Sequence, residues 1–172
     1  MKVFGDDGFR DIYGSKLMSR KFLQNFFHNL NFFLEHKKID KICIGYDTRK
    51  SNKEILNIIF KNLLYPKKIY LFKDPVTTPC IHYMSKVYQT FNIMITASHF
   101  PSHFNGFKFF FKGKKLTKKM EKKIEYKLNN KKEFIGKRSK VLKINYNQYI
   151  NFINRTFKIN IKKKILADFA NG

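Results

Sequence analysis

Phe91-Asn-Ile-Met-Ile-Thr96, followed by Ala97-Ser-His-Phe-Pro-Ser-His-Phe-Asn-Gly106 and Phe107-Lys-Phe-Phe-Phe111, decides the fold. The first six residues are apolar or β-branched apart from one Asn, which marks a short buried strand. A polar stretch with Pro and Gly interrupts it, and a second apolar run, read as an edge strand, resumes at Phe107. Upstream, Thr78-Pro79 reads as an N-cap with proline in the first helical position, so a helix runs to about Tyr88. Before it, Ile69-Tyr-Leu-Phe72 is another buried strand. Ser51 and Glu54 have capping-box spacing at the head of a helix whose inner face is Ile55, Ile58, Ile59 and Leu63. Ile42-Cys-Ile44 is a further strand, closed by the polar turn Gly45-Tyr-Asp-Thr-Arg49. Leu23, Phe26, Phe27, Leu30, Phe33 and Leu34 recur at helical spacing and predict an amphipathic helix over 16–36.

Strands alternating with helices predict an α/β fold, in three α/β/α layers around a mixed, mostly parallel sheet. Downstream, Leu116, Met120, Ile124 and Leu128 mark one more helix. Tyr146, Tyr149, Ile150, Ile153 and Phe157 mark another. Lys164-Ile-Leu-Ala-Asp-Phe-Ala-Asn-Gly172 reads as the opening strand of a further domain, which sets the expected domains at 1–160 and 161–172. No internal repeat is evident.

Charge first points to polyanions. The chain of 172 residues has 36 Lys and Arg against 12 Asp and Glu, a formal net charge of +24. Composition argues otherwise, because 31 of the basic residues are Lys and only five are the Arg that best reads phosphate and guanine. Lys, Asn, Ile, Phe and Tyr fill 95 positions, and all five have A/T-rich codons, so codon bias explains the charge better than a nucleic-acid surface does. Residues 112–143 hold 14 basic and three acidic side chains, read as a solvated helix face and loop. No run approaches the roughly 18 apolar residues of a membrane span, and acids occupy the start where a signal peptide is apolar. Cys43 and Cys80 lie far apart in apolar segments and read as buried free thiols. A cytoplasmic protein is expected, without a membrane or nucleic-acid partner.

In open α/β sheets, ligands bind beyond the carboxyl ends of the strands. Three polar clusters suit such a place: Phe4-Gly-Asp-Asp-Gly-Phe-Arg10, Gly45-Tyr-Asp-Thr-Arg49, and Thr96-Ala-Ser-His-Phe-Pro101 with Asn105-Gly-Phe-Lys108. Ser98 beside His99 lacks the Gly-x-Ser-x-Gly elbow of a hydrolase. His99 and His103 lack the Glu of His-Glu-x-x-His, and Pro101 disfavours the helix that would align them on zinc. Ser98 with His99, Lys108, Arg10 and Arg49 instead suits a phosphorylated serine, whose dianion needs cations around it, while the Ser-His pair taken alone reads more readily as a structural turn.

In kind, order and spacing the clusters resemble those of the α-D-phosphohexomutases, which show Phe-Gly-Thr-Asp-Gly-Ile-Arg-Gly, then Asp-Thr-Arg, then Thr-Ala-Ser-His-Asn-Pro with Asn-Gly-x-Lys. Asn105-Gly-Phe-Lys-Phe-Phe110, Ile135-Gly-Lys-Arg-Ser139 and Asp168-Phe-Ala-Asn-Gly172 resemble the members acting on hexosamine phosphates. The resemblance covers the first of the family's four domains. It implies a phosphoserine at Ser98, with His99, Lys108 and Arg10 as its catalytic neighbours. It also implies Asn105, Arg49 and Asp47 as substrate or phosphate contacts, Arg49 and Asp47 more as holders of the loops. Magnesium, bound through the Ser98 phosphate, would be the cofactor, and a hexosamine 1,6-bisphosphate the intermediate. The sugar phosphate and the family's domains two to four would be the partners, and without those domains an apolar surface is expected to stand open.

Three positions depart from the pattern: Asp6 for Thr, Asp11 for Gly and Phe100 for Asn. Asp6 and Asp11 are expected to oppose a phosphoserine dianion, and Phe100 removes an amide from the loop. A remnant that no longer catalyses, or a basic nucleic-acid-binding domain, are the alternative readings.

Overall fold

Side-chain alternation along the strands sorts the core into two layers, one on each face of a single sheet. A computed structural model describes residues 2–129, 132–158, 164 and 166–167. Its strands are β1 (Phe9–Ile12), β2 (Lys41–Tyr46), β3 (Lys68–Phe72), β4 (Phe91–Ile95), β5 (Phe104–Phe111), β6 (Lys114–Lys115) and β7 (Lys140–Ile144). The helices are α1 (Arg20–His36), α2 (Asn52–Asn62), α3 (Thr78–Tyr88), α4 (Lys118–Lys127) and α5 (Asn147–Thr156), with a 3-10 turn at Lys16–Met18. The sheet runs β1-β5-β4-β2-β3-β7, with β6 beside β5. β4, β2, β3 and β7 are mutually parallel, while β5 is antiparallel to both β1 and β4.

Ile42, Ile44, Ile93, Ile95, Phe107 and Phe109 face one way and pack with the apolar stripes of α1 and α2. Cys43, Met94 and Phe110, at the intervening positions, face α3 and pack against Cys80, Ile81 and Met84. Period-2 strands between period-3.6 helices thus produce the expected α/β/α layering. Phenylalanine dominates the first layer: Phe9 lies 5.0 Å from the Phe26 ring and 5.2 Å from Phe107, and Phe27 lies 5.2 Å from Phe107. Such pairs are each worth about 1 kcal/mol beyond the area they bury. Burial pushes the Cys80 thiol up to about 11 and the Cys43 thiol higher still, so both are inert free thiols.

Several expectations need correcting. β5 is an interior strand, because β1, hidden in a stretch read only as a polar motif, pairs along it through Phe9↔Phe107 to Ile12↔Phe104. β7 was not expected at all; its exposed, Lys-rich pattern gives no alternation, and pairing with β3 makes it a strand. Ser51 makes no cap hydrogen bond, so the capping box does not form. Thr77, one residue earlier than read, is the N-cap of α3. The strand expected over 161–172 lies outside the described residues, apart from Lys164, Leu166 and Ala167. Among the described residues no helix is long and apolar enough to cross a membrane. No side chain of α5 is fully buried; Ile150 and Phe152, with the flanking Tyr146 and Phe157, stand 37 to 55% exposed.

Candidate functional site

The loop after β4 turns at Ser98, which has φ +58°, the left-handed region that a residue with a Cβ enters at a cost of about 1 kcal/mol. Its amide donates to Thr96 Oγ1 at 2.9 Å, a local turn bond, and the rest of the residue is exposed. Ser98, His99 and Phe100 form one wall of an open cleft of about 1190 Å³. Thr77 and Thr78 at the head of α3 line another wall, and Tyr146, the N-cap of α5, with Tyr149 and Ile150 of that helix a third. The first turn of α3 therefore borders the cleft, at the helix end that favours anions.

Arg49 holds the loop from beneath. Its side chain is 9% exposed. Nε donates to Asp47 Oδ2 at 3.0 Å; Nη1 donates to the Pro101 and Phe104 carbonyls at 2.6 and 2.9 Å; Nη2 donates to the Ser98 and Phe100 carbonyls at 3.0 and 2.7 Å. All five guanidinium donors are thereby used inside the protein. Asp47 Oδ1 in turn accepts from the Arg49 amide and from Asn52 Nδ2, both at 3.1 Å. Asn52 Oδ1 accepts from Asn105 Nδ2 at 2.8 Å, Ser51 Oγ accepts from the same nitrogen at 2.7 Å, and Asn105 Oδ1 accepts from the Gly106 amide at 2.8 Å. Asn105 is fully buried. Arg49 and Asp47 were read mainly as holders of the loops and Asn105 as a substrate or phosphate contact; in this geometry all three hydrogen-bond within the frame of the loop, and every Arg49 donor is engaged there. Ser51 and Asn52 complete this frame, and the capping-box spacing concealed them.

Arg10 on β1 and Lys108 on β5 are not among the residues lining the cleft that Ser98 borders. Arg10 pairs with Gly106 across β1 and β5, so parity places it on the face opposite the Phe9 core, the same face as Lys108. Gly106 permits that approach: a Cβ there would lie 2.4 Å from the Phe9 carbonyl oxygen and 2.6 Å from Arg10 Cβ. Lys108 stands 4.0 Å from Asp7 Oδ2, lining a second cavity of about 240 Å³ with Asp7, Thr78 and His82. Thr78 borders both cavities. The N-terminal motif is itself pinned by α4, where Glu125 Oε1 accepts from the Val3 and Phe4 amides at 2.6 and 2.9 Å, and Lys118 Nζ donates to the Gly5 carbonyl at 2.8 Å.

Asp7 also pairs with Lys115. That hydrogen bond is the main cause holding the Asp7 carboxyl below its ordinary 3.8, partial burial opposing and the charges of Lys115, Lys108 and Arg10 assisting. A lowered folded-state value stabilises the fold above the unfolded value and is lost as pH falls through the folded one. Asp7→Asn is therefore expected to unfold at lower urea than the wild type at pH 7, with the gap closing below pH 3.8 and shrinking in high salt. Equal urea midpoints at pH 7 would rule out a stabilising Asp7 pairing.

The three departures from the family pattern all have partners here. Asp11 accepts from the Ile12 amide at 2.8 Å and the Leu17 amide at 3.3 Å, Asp6 lies within electrostatic reach of Lys118, and Phe100 lies under Arg10. Among the described residues no three His, Cys, Asp or Glu side chains gather as a metal site.

The mixed α/β/α sheet with its loop after β4 has a counterpart among known proteins: a model for the phosphoglucomutase/phosphomannomutase alpha/beta/alpha domain I matches residues 1–134, and the chain belongs to that family. Individual relatives narrow the likeness. Phosphoglucosamine mutase of Helicobacter acinonychis (strain Sheeba) is 32% identical over 186 residues, covering 100% of this chain and 42% of the relative. The phosphoglucosamine mutase of Histophilus somni (strain 2336) is 32% identical over 180 residues, covering 99% and 40%. The chain thus spans about two-fifths of the length of these curated relatives. A phosphoglucomutase/phosphomannomutase family protein from Burkholderia thailandensis superposes with a TM-score of 0.78 over 94% of this chain and 37% of that one, at 17% identity. Paramecium pp63/parafusin gives 0.74 over 92% and 35%, at 16% identity; both likenesses concern the fold.

Proposed function

We propose that this chain is the phosphoserine-bearing part of a phosphoglucosamine mutase, interconverting glucosamine 6-phosphate and glucosamine 1-phosphate through a hexosamine 1,6-bisphosphate. The observation that carries the reading is Ser98, exposed in a left-handed turn on the cleft wall while Arg49 clasps its carbonyl from below. The names of the relatives at about 32% identity support the hexosamine substrate.

In the reaction so read, phosphoserine 98 gives its phosphoryl group to the free hydroxyl of a hexosamine monophosphate. A sugar oxygen–phosphorus bond forms, the Ser98 Oγ–phosphorus bond breaks, and the sugar hydroxyl proton passes to Oγ. In this reading His99, which lines the same cleft, carries that proton. The bisphosphate then returns its other phosphoryl group to Ser98 by the reverse exchange. Lys108 and Arg10 supply positive charge where the transferring group is most anionic, the main demand this chemistry makes of a protein. Magnesium, held through the Ser98 phosphate, would offset charge on the transferring group, and among the described residues no three His, Cys, Asp or Glu side chains gather to complete its site. Further domains, in the same or another chain, would supply the sugar-binding and metal-binding groups, and the exposed apolar face of α5 fits a domain packed beside the cleft. Partners for Asp6, Asp11 and Phe100 favour a retained site over a decayed one.

The test is intact-mass measurement on the 172-residue chain after incubation with a hexose 1,6-bisphosphate. Gain of one phosphoryl group by the wild type, and none by Ser98→Ala or Ser98→Gly, is the expected result; a chain that stays unmodified overturns the reading. Ser98→Gly should be more stable than Ser98→Ala by about 1 kcal/mol in urea denaturation, because glycine relieves the positive φ.

A further inference from the structure

We infer that Phe100 is a positioning residue that holds the Arg10 guanidinium at the Ser98 loop through a cation–π contact. The inference rests on the function proposed for Ser98. Arg10 Cζ lies over the Phe100 ring, 4.1 Å from its centroid. Such a contact uses the charge and the flat face of the guanidinium and consumes none of its N–H donors, which stay available to an anion. That is the opposite of Arg49, whose five donors are all spent on carbonyls and Asp47.

The ring is itself fixed. The Phe104 ring packs against it at 5.1 Å and 62°, the Phe100 amide donates to the Ala97 carbonyl at 3.2 Å, and its carbonyl accepts from Arg49 Nη2 at 2.7 Å. Phe100 thus belongs to the same clasped loop as Ser98, whereas Arg10 comes from β1. The contact is therefore a link between the strand that brings the cation and the loop that carries the nucleophile. Without it, an exposed arginine side chain would sample many rotamers, and ordering it on the anion would cost side-chain entropy. The phosphohexomutase pattern has Asn at this position; an amide offers no aromatic face, so this chain has exchanged a loop hydrogen-bonding group for a platform.

The experiment measures the rate of Ser98 phosphorylation from a hexose 1,6-bisphosphate, by intact mass, in a double-mutant cycle of Phe100 and Arg10. In the transfer, Ser98 Oγ bonds to phosphorus, the sugar oxygen–phosphorus bond breaks, and the serine proton ends on the released sugar hydroxyl. Phe100→Leu and Phe100→Asn are expected to slow transfer about five-fold, and Phe100→Tyr to restore it, since a tyrosine ring keeps the face. In an Arg10→Ala background, Phe100→Leu should change nothing further. A side chain that only fills space between Phe104 and the loop would cause the same loss with or without Arg10, and that result, or an unslowed Phe100→Leu, overturns the inference. A wild-type chain that takes up no phosphoryl group overturns the function proposed for Ser98 and this role with it. The two failures are distinct, because the second appears before any variant is made.

Discussion

Arg49→Ala is expected to cost about 3–5 kcal/mol of stability and to abolish phosphoryl uptake at Ser98. Removal of the guanidinium leaves Asp47 without its ion-pair partner and takes one hydrogen bond from each of four carbonyls around the loop. Asp47 is 23% exposed on its side chain, so solvent softens the loss of the pair without replacing the clasp. For a chain of this size the loss corresponds to a melting point lower by on the order of 10 °C. Arg49→Lys should recover little, because one ammonium on a flexible stem cannot reach a carboxylate and four carbonyls that a planar fork satisfies together. Thermal denaturation and intact mass together decide it. An Arg49→Lys chain as stable and as readily phosphorylated as the wild type would show that the clasp is incidental.

Gly8→Ala should be comparably severe for a different reason. Gly8 has φ +108°, and a Cβ on it would sit 1.9 Å from the Phe107 carbonyl oxygen and 2.9 Å from its carbon. Backbone cannot yield as a flexible side chain does, so β1 must part from β5 at the point where Phe9 is buried against Phe26 and Phe107. A loss of about 3 kcal/mol or more is expected, together with faster hydrogen exchange at the β1 and β5 amides. Gly14→Ala is the matched control: φ there is +91° with no atom within 4 Å, so it suffers backbone strain alone. Equal destabilisation by the two substitutions would mean that strain, and not the close approach to Phe107, sets the cost at Gly8.

Much of the layering was legible in the residues, because burial imposes a period. Leu23 to Leu34 and Ile55 to Leu63 show 3.6-residue stripes, and Ile42, Ile69 and Phe91 each begin short apolar runs; all lie in the elements so read, apart from Leu63 at the C-cap of α2. Ser98 with His99 and Lys108 could be singled out because polar residues directly after a buried strand stand at the sheet's ligand-binding edge. β1 and β7 were not legible. Four residues with mixed polarity, or a lysine-rich run with exposed faces, become strands through partners far away in the chain, Phe104 to Phe107 for one and Lys68 to Phe72 for the other.

Residue types and order alone determined the α/β class, the family likeness and the serine on which the proposed function turns. Only tertiary structure decided what the neighbouring polar groups do. Ser51 could cap a helix or receive a hydrogen bond from Asn105; Arg49 could bind phosphate or clasp a loop; Phe100 could fill a gap or carry a cation. Each side chain is chemically competent for both tasks, and the choice follows from which donors, acceptors and ring faces the closing of β1 on β5, and of the Ser98 loop on Arg49, brings within bonding distance.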